Sequence, residues 1–113
     1  MLASKKHLTT LKTLRKLSGK NRKTYIKCCG KDFINCLSEI ATNVLKGNVR
    51  LTPKQMKCLK KHKKTLRTLA NRKSGLKLRE KIVLQKGGFL GALIGPAIAA
   101  ITGLIGGLIN RNN

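Results

Sequence analysis

The chain has 113 residues, enough for one small domain with a modest hydrophobic core. Its 26 lysines and arginines face only three acidic residues, so the net charge is +23 and the chain repels itself. Aromatic residues make up only 3% of the chain, which argues against a sequence-specific single-strand reader, since such proteins stack bases on interleaved aromatic side chains.

The first predicted elements are a basic amphipathic helix and a short helical piece. One apolar stripe runs along residues 5–17 and consists of Leu8, Leu11, Leu14 and Leu17. Residues 18–21 interrupt this pattern, and a second helical piece spans about 22–29 before Gly30. The start of the chain shows no secretory signal pattern, so we expect the four cysteines to be thiols in a reducing compartment.

A third helix is predicted over residues 32–46, with Asp32 as its N-cap. Its apolar positions share one face and form the expected centre of the core: Phe33, Leu37, Ile40, Ala41, Val44 and Leu45. Lys46 and Gly47 supply a cation in the last turn and a C′ glycine, a combination typical of a helix end.

The strongest helix-start pattern in the sequence is Thr52-Pro53-Lys54-Gln55. It predicts a capping box with proline at the first helical position, and Leu51 and Met56 occupy the positions of a hydrophobic staple. The helix is predicted to run over residues 53–73 until Ser74-Gly75 stops it. Its expected inward side chains are Met56, Leu59, Leu66, Leu69 and Ala70.

A last helical piece is predicted over residues 76–85, with Leu78, Ile82 and Val83 inward. No stretch alternates between apolar and polar residues as a half-buried strand does. We therefore predict an all-α fold, a small bundle of short basic helices followed by a Gly-rich hydrophobic helical segment. The expected division is a basic nucleic-acid-binding region, 1–86, and an apolar tail, 87–113.

The predicted helix 53–73 and its continuation form a nearly one-signed cationic segment. A polyanion would relieve its repulsion, and the expected partner is nucleic acid, followed by an anionic membrane surface. Solvated helix faces usually mix both signs, so binding is favoured over a merely solvated face. The candidate nucleic-acid-binding residues are Lys54, Lys57, Lys60, Lys61, Lys63, Lys64, Arg67, Arg72, Lys73, Lys77, Arg79 and Lys81.

Lysine predominates in this set, and lysine contacts phosphate as a point charge rather than as a bidentate fork. We therefore expect non-specific, strongly salt-dependent binding to double-stranded DNA. The helices 32–46 and 53–73 could also form a helix-turn-helix. Their long connection and the scarcity of base-reading side chains at the start of the second helix argue against specific operator binding.

The cysteines and histidines allow one metal-site interpretation. Cys58 and His62 stand four positions apart on the predicted helix, so a zinc site that also uses Cys29 and Cys36 is conceivable. Since adjacent Cys28 and Cys29 make a poor ligand pair, small buried hydrophobes are the favoured interpretation and we expect no metal. Three scattered acids and two histidines provide no nucleophile with a base and an orienting group, so we expect neither catalysis nor a cofactor.

The apolar tail contains no charged residue between residues 88 and 109, a length that matches a membrane-spanning helix. A small-residue ridge recurs every four positions and consists of Gly91, Gly95, Ala99, Gly103 and Gly107. Pro96 is expected to kink the helix or to divide it into two. Three hypotheses follow, namely membrane insertion, packing against a protein partner and self-association. In a spanning helix, the preceding cations would keep that side cytoplasmic.

The segment Lys86-Gly87-Gly88-Phe89-Leu90 and the Ala-, Ile- and Gly-rich run after it resemble the C-terminal part of adenovirus core protein X (mu) precursors. Over most of its length, the chain is more similar to core-protein-like products of Polinton/Maverick elements and adintoviruses. The stretches that carry this similarity are 43–49, the lysine-rich 53–73 with its Leu69-Ala70 pair, and 85–90.

The resemblance implies a viral core protein that condenses double-stranded DNA in the virion and in the host cell nucleus. It also implies a capsid protein as a partner of the tail. In adenoviruses the Gly-Gly is a cut site of the maturation protease, so cleavage after Gly87-Gly88 is implied here. Gln85 stands where that protease prefers Met, Leu or Ile, and the lysine-dominated cation set is a second departure from the adenovirus pattern.

Overall fold

The computed structural model describes the backbone of residues 5–111 and the side chains of residues 7–102. The helices are α1 (Lys5–Lys16), α2 (Gly19–Leu45), α3 (Pro53–Lys60), α4 (Lys63–Ala70), α5 (Leu76–Gln85) and α6 (Gly87–Arg111). A short 3₁₀ turn, Arg72–Ser74, connects α4 to α5. Between residues 5 and 111 there is no β-strand, which confirms the predicted all-α fold.

The long helix α2 contains both the predicted piece 22–29 and the predicted helix 32–46. Gly30 alone within it leaves the helical region, at φ 76° and ψ −172°, so the axis bends there without a loop. A positive φ of this kind is readily adopted by glycine. Because Asp32 is helical and follows the bend by two residues, the prediction that it is an N-cap is wrong, although its carboxylate still lies in a first turn.

The end of α2 confirms the prediction made from Lys46 and Gly47. Gly47 has φ 77° and its N–H donates to the carbonyl of Val44 at 3.1 Å. The N–H of Asn48 donates to the carbonyl of Asn43 at 2.9 Å, which completes a Schellman motif. The last carbonyls of the helix are therefore satisfied locally.

The predicted helix 53–73 is not continuous. Its start is confirmed, but α3 ends at Lys60, and His62, at φ −113° and ψ 23°, breaks the helical path before α4. The break lets the two halves pack differently, α3 against α6 and α4 against α2. Met56, predicted to lie inward, is instead 46% exposed.

Each helix contributes to a single core of buried apolar side chains. Six core residues come from the predicted tail: Phe89, Leu90, Leu93, Ile94, Ala97 and Ile101. α6 continues through the buried Pro96 as one helix, so of the two predicted alternatives, a kink or a division into two helices, the division is wrong. Up to residue 102, the tail is therefore part of the folded bundle rather than a segment apart from it.

The inward faces of the other helices agree with their predicted stripes over most positions. Leu11 and Leu14 of α1 and Leu37 and Ile40 of α2 are fully buried. The departures lie at helix ends and edges, where Leu45 is 40% exposed and Leu78 is 45% exposed, against prediction.

Candidate nucleic-acid interface

Eleven of the twelve predicted binding residues are exposed, and they follow one another along α3, α4, the 3₁₀ turn and α5. They form the α3–α5 cationic surface, which consists of Lys54, Lys57, Lys60, Lys61, Lys63, Lys64, Arg67, Arg72, Lys73, Lys77 and Lys81. Within residues 7–102, none of its lysines takes part in a salt bridge. The surface therefore presents its positive charge to solvent.

Helix geometry explains why these side chains lie outside. The thoroughly buried Leu66 and Leu69 fix the inward side of α4, so Lys64 and Arg67 are left on its outer side. Because the chain bends at residues 61–62, the cations of the predicted continuous helix lie instead on two helices of eight residues each. Each of these spans only about 12 Å at a rise of about 1.5 Å per residue.

Arg79 is the exception among the predicted binding residues. Its side chain is only 6% exposed, and its Nε donates to the carbonyl of Gly75 at 3.2 Å. Its Nη1 donates to Asn35 Oδ1 and to Ser38 Oγ, both at 2.9 Å. Arg79 ties α5 to α2 and, unlike the other eleven predicted residues, does not lie on the exposed surface.

The buried position of Arg79 also shifts its pKa. Burial, and after it the nearby charge of Arg72, lower the pKa of Arg79. The guanidinium nevertheless stays protonated, as it does throughout proteins. Arg72 itself remains at the surface, where its Nη2 donates to the carbonyl of Asn35 at 3.3 Å. Both arginines therefore donate hydrogen bonds to Asn35 of α2, Arg79 from inside the bundle and Arg72 from its surface.

A second group of exposed cations was not among the predicted binding residues. It lies on α1 and on the part of α2 up to the Gly30 bend and just past it. This α1–α2 cationic surface consists of Lys12, Arg15, Lys16, Lys20, Lys23, Lys27 and Lys31. The spacing of three and four between Lys20, Lys23 and Lys27 was the available signal, since it places them on one helix face.

A cavity of about 280 Å³ opens beside α2. It is lined by His7, Asp32, Asn35, Cys36, Glu39 and Arg72, and thus gathers two of the three acids of the chain. Burial, and after it the charge of Glu39, raise the pKa of Cys36 to about 12. Because the thiolate is the reactive form, this thiol is a poor nucleophile and a poor metal ligand at neutral pH.

The described side chains form no group of three or more His, Cys, Asp or Glu residues placed to hold a metal ion. Burial, and after it Cys28, raise the pKa of Cys29, whose S–H donates to the carbonyl of Tyr25 at 3.2 Å. The ring of His62 packs edge-on against Phe89, with centroids 5.9 Å apart. Within residues 7–102, the structure therefore does not gather Cys29, Cys36, Cys58 and His62 into one site.

The candidate cleavage residues and the ridge lie on α6. Gly87 and Gly88 are exposed in its first turn, directly after the non-helical Lys86. Of the three ridge residues whose side-chain surroundings are described, Gly91 and Ala99 are exposed, and Gly95 faces another helix, where an added Cβ would lie 3.3 Å from Gln55 Nε2. Gly103 and Gly107 belong to α6, but their surroundings fall outside the described side chains.

The length and composition of the helices also bear on membranes. Within the part of the chain that the structure describes, no single helix is both long enough and apolar enough to cross a bilayer. Leu76–Gln85 and Gly87–Thr102 satisfy these criteria only as a pair, and they are bent by 99° at the break between them.

Chemically, the exposed side chains can make many point-charge contacts to an anionic partner. They offer little for base stacking, because Phe33 and Phe89 are buried and no tryptophan is present. No protein-family model, no curated protein and no solved structure matches the chain, so the arrangement of its own side chains carries the functional argument.

Proposed function

We propose that this protein binds double-stranded DNA without sequence preference and condenses it, as a viral core protein of the adenovirus X and Polinton type. The observation that carries the proposal is the α3–α5 cationic surface, with eleven exposed cations and no salt bridge to its lysines within residues 7–102. The proposed setting is the virion and the host cell nucleus, and the proposal includes no catalytic step, metal or cofactor.

Counterion release explains why such a surface favours DNA. Each phosphate that a lysine neutralises releases counterions, so the logarithm of the affinity falls with the logarithm of salt concentration by about 0.9 per contact. Phosphate contacts position a protein on DNA without reading its sequence. The buried phenylalanines support duplex over single-stranded nucleic acid, because they are not available to stack on unpaired bases.

The test is fluorescence anisotropy of the full chain with three unrelated duplexes of equal length over a salt series. We expect equal affinities for the three sequences and a loss of several orders of magnitude between low and moderately high salt. A matched single strand serves as the control and should bind with a shallower salt slope, about 0.7 per phosphate. One preferred duplex, or a shallow slope for all three, would contradict the proposal.

A second candidate function is membrane activity, which the bent pair of α5 and the first part of α6 favours by length and composition. This function would require α6 to leave the core, because Phe89, Leu93 and Ile101 face inward. Offering DNA and anionic liposomes together distinguishes the two functions. Recovery of the protein with floated liposomes rather than with DNA would favour the membrane. Docking of α6 to a capsid protein or to a second copy, and cleavage after Gly88, stay predictions.

A further inference from the structure

We infer that the α1–α2 cationic surface is a second polyanion-binding surface, and that one chain bridges two DNA duplexes by holding one on each surface. The inference rests on the proposed function and supplies a means of condensation, since bridged duplexes are drawn together. It depends on three observations: the way the second surface is built, the packing that separates it from the first, and the acids that lie between them.

The second surface is held rigidly by buried neighbours. Leu11 and Leu14 are fully buried on α1, which leaves Lys12 and Lys16, one helical turn apart, at the surface. On α2, Ile26 is only 2% exposed and fixes the inward side, while Lys20, Lys23 and Lys27 are all exposed. Within residues 7–102, none of the seven cations of this surface is in a salt bridge, so each is available to a phosphate.

Helix packing places the two surfaces on different parts of the bundle. α1 packs mainly against α6 and α2. The helices of the other surface use different contacts, since α4 packs mainly against α2 and α5, and α3 mainly against α6. α2 and α6 therefore lie between α1 and the helices of the α3–α5 surface.

The cavity lined by Asp32 and Glu39 lies between the two cationic surfaces. His7 from the start of α1 and Arg72 from the 3₁₀ turn contribute to the same cavity, and Asp32 and Glu39 line it with them. A duplex laid across this cavity would bring its phosphates towards the carboxylates of Asp32 and Glu39, and like charges repel; of the six lining residues, Arg72 alone belongs to a cationic surface. Two separate duplexes, one on each surface, avoid that repulsion.

Three variants with equal net charge test the inference, each with six cations replaced by glutamine. The first neutralises the α1–α2 surface through Lys12, Arg15, Lys16, Lys20, Lys23 and Lys27. The second neutralises the α3–α5 surface through Lys57, Lys60, Lys61, Lys63, Lys64 and Arg67. The control divides the changes between the surfaces, through Lys12, Lys20, Lys27, Lys57, Lys61 and Lys64.

The measurement is energy transfer between donor-labelled and acceptor-labelled short duplexes, with anisotropy of a single duplex recorded in parallel. We expect both one-surface variants to keep binding a duplex through the surface that remains, but to lose energy transfer. The divided control should retain energy transfer, because both of its surfaces still carry charge. Equal loss in all three variants would mean that bridging follows total charge, and would overturn the inference.

Mixing the two one-surface variants distinguishes bridging by one chain from bridging by associated copies. The mixture should remain without energy transfer, and recovery would overturn the inference. If the wild type binds a duplex but shows no energy transfer, the inference fails and the proposed function stands. If the wild type does not bind, the proposed function itself fails.

Lysine acetylation of the wild-type protein provides a measurement that does not depend on the folding of any variant. With duplex at saturation, Lys20, Lys23 and Lys27 should be protected together with the lysines of the α3–α5 surface. Acetylation of these three residues at the rate of the free protein, while the other surface is protected, would also overturn the inference.

Discussion

The guanidinium of Arg79 lies inside the bundle, and its hydrogen-bond partners are neutral oxygens of Gly75, Asn35 and Ser38. Removing a buried hydrogen-bonding group leaves its partners unsatisfied, and hydrogen bonds that involve a charged group each contribute about 1.5–3 kcal/mol. Arg79 therefore stabilises the contact between α5 and α2.

Arg79→Ala should lower the free energy of unfolding by about 2–3 kcal/mol. It should leave the salt slope of DNA binding unchanged, because the side chain does not reach the surface. The matched change is Lys81→Ala, an exposed cation two positions later, which should leave stability nearly unchanged and reduce the slope by about 0.9. Urea melts and anisotropy measure the two quantities. Equal stability of both variants would contradict the structural role of Arg79.

The thiols provide a second prediction at this scale. Cys28 is exposed, whereas Cys36 is buried and its pKa is raised to about 12, which favours the protonated thiol. Alkylation of the folded protein at pH 8 should therefore modify Cys28 first and leave Cys36 intact. Mass mapping checks this, with urea-unfolded protein as the control in which all four cysteines react. Equal alkylation of Cys36 and Cys28 in the folded protein would show that Cys36 is not buried.

At the scale of one element, the start of α3 is held by reciprocal hydrogen bonds. The N–H of Gln55 donates to Thr52 Oγ1 at 3.1 Å, and the N–H of Thr52 donates to Gln55 Oε1 at 3.0 Å. These bonds satisfy donors that the first turn of a helix otherwise leaves without partners. They position Lys54 and Lys57, the first two cations of the α3–α5 surface.

Thr52→Ala should lower stability by about 1 kcal/mol, since the N–H of Gln55 loses its acceptor. Thr24→Ala is the matched control, because Thr24 is also exposed but lies within α2 and bonds only to the carbonyl of Lys20, at 3.0 Å. Alanine has the higher helix propensity, so this control should be neutral or slightly stabilising. Superimposable melts for Thr52→Ala and the wild type would place the start of α3 elsewhere.

At the scale of the whole molecule, α6 supplies apolar side chains that cover α1, α2, α3 and α5. Burying one large apolar side chain contributes about 1.5–3 kcal/mol, while the net stability of a domain is about 5–15 kcal/mol. Losing the five large core side chains of α6, together with Ala97, therefore removes a contribution comparable to the whole net stability of a domain.

A chain that ends at Lys86 should therefore lack cooperative unfolding in urea, although it keeps every cation of both surfaces. Leu93→Ala in the full chain is the graded comparison and should lower stability by about 2–5 kcal/mol, because Leu93 is fully buried. Circular dichroism and urea melts measure both effects. A shortened chain that unfolds as sharply as the full one would show that residues 87–113 are a separate segment after all.

The helix start at Thr52 and the helix end at Gly47 were predictable because they depend on neighbouring residues, whereas the local N-cap pattern at Asp32 was misleading. The capping box at Thr52 and the Schellman motif at Gly47 form within a few residues of chain, so the local amino-acid sequence is sufficient to predict them. The break at His62 was not predictable in this way. The apolar stripe of the segment suits a straight helix equally well, and the choice depends on α6 and α2, which lie far away in sequence.

The features of the candidate site also fall into two groups, those that the sequence predicts and those that depend on tertiary contacts. Composition and spacing alone determined the cationic character, the helical class and the scarcity of stacking aromatics, because these depend on amino-acid composition and on local backbone preferences. Only the tertiary structure decided that Arg79 lies inside, that Asp32 and Glu39 meet in one cavity and that α6 joins the core up to Ile101. Those outcomes depend on contacts between distant residues, because burial is decided by what packs on the other side of a helix.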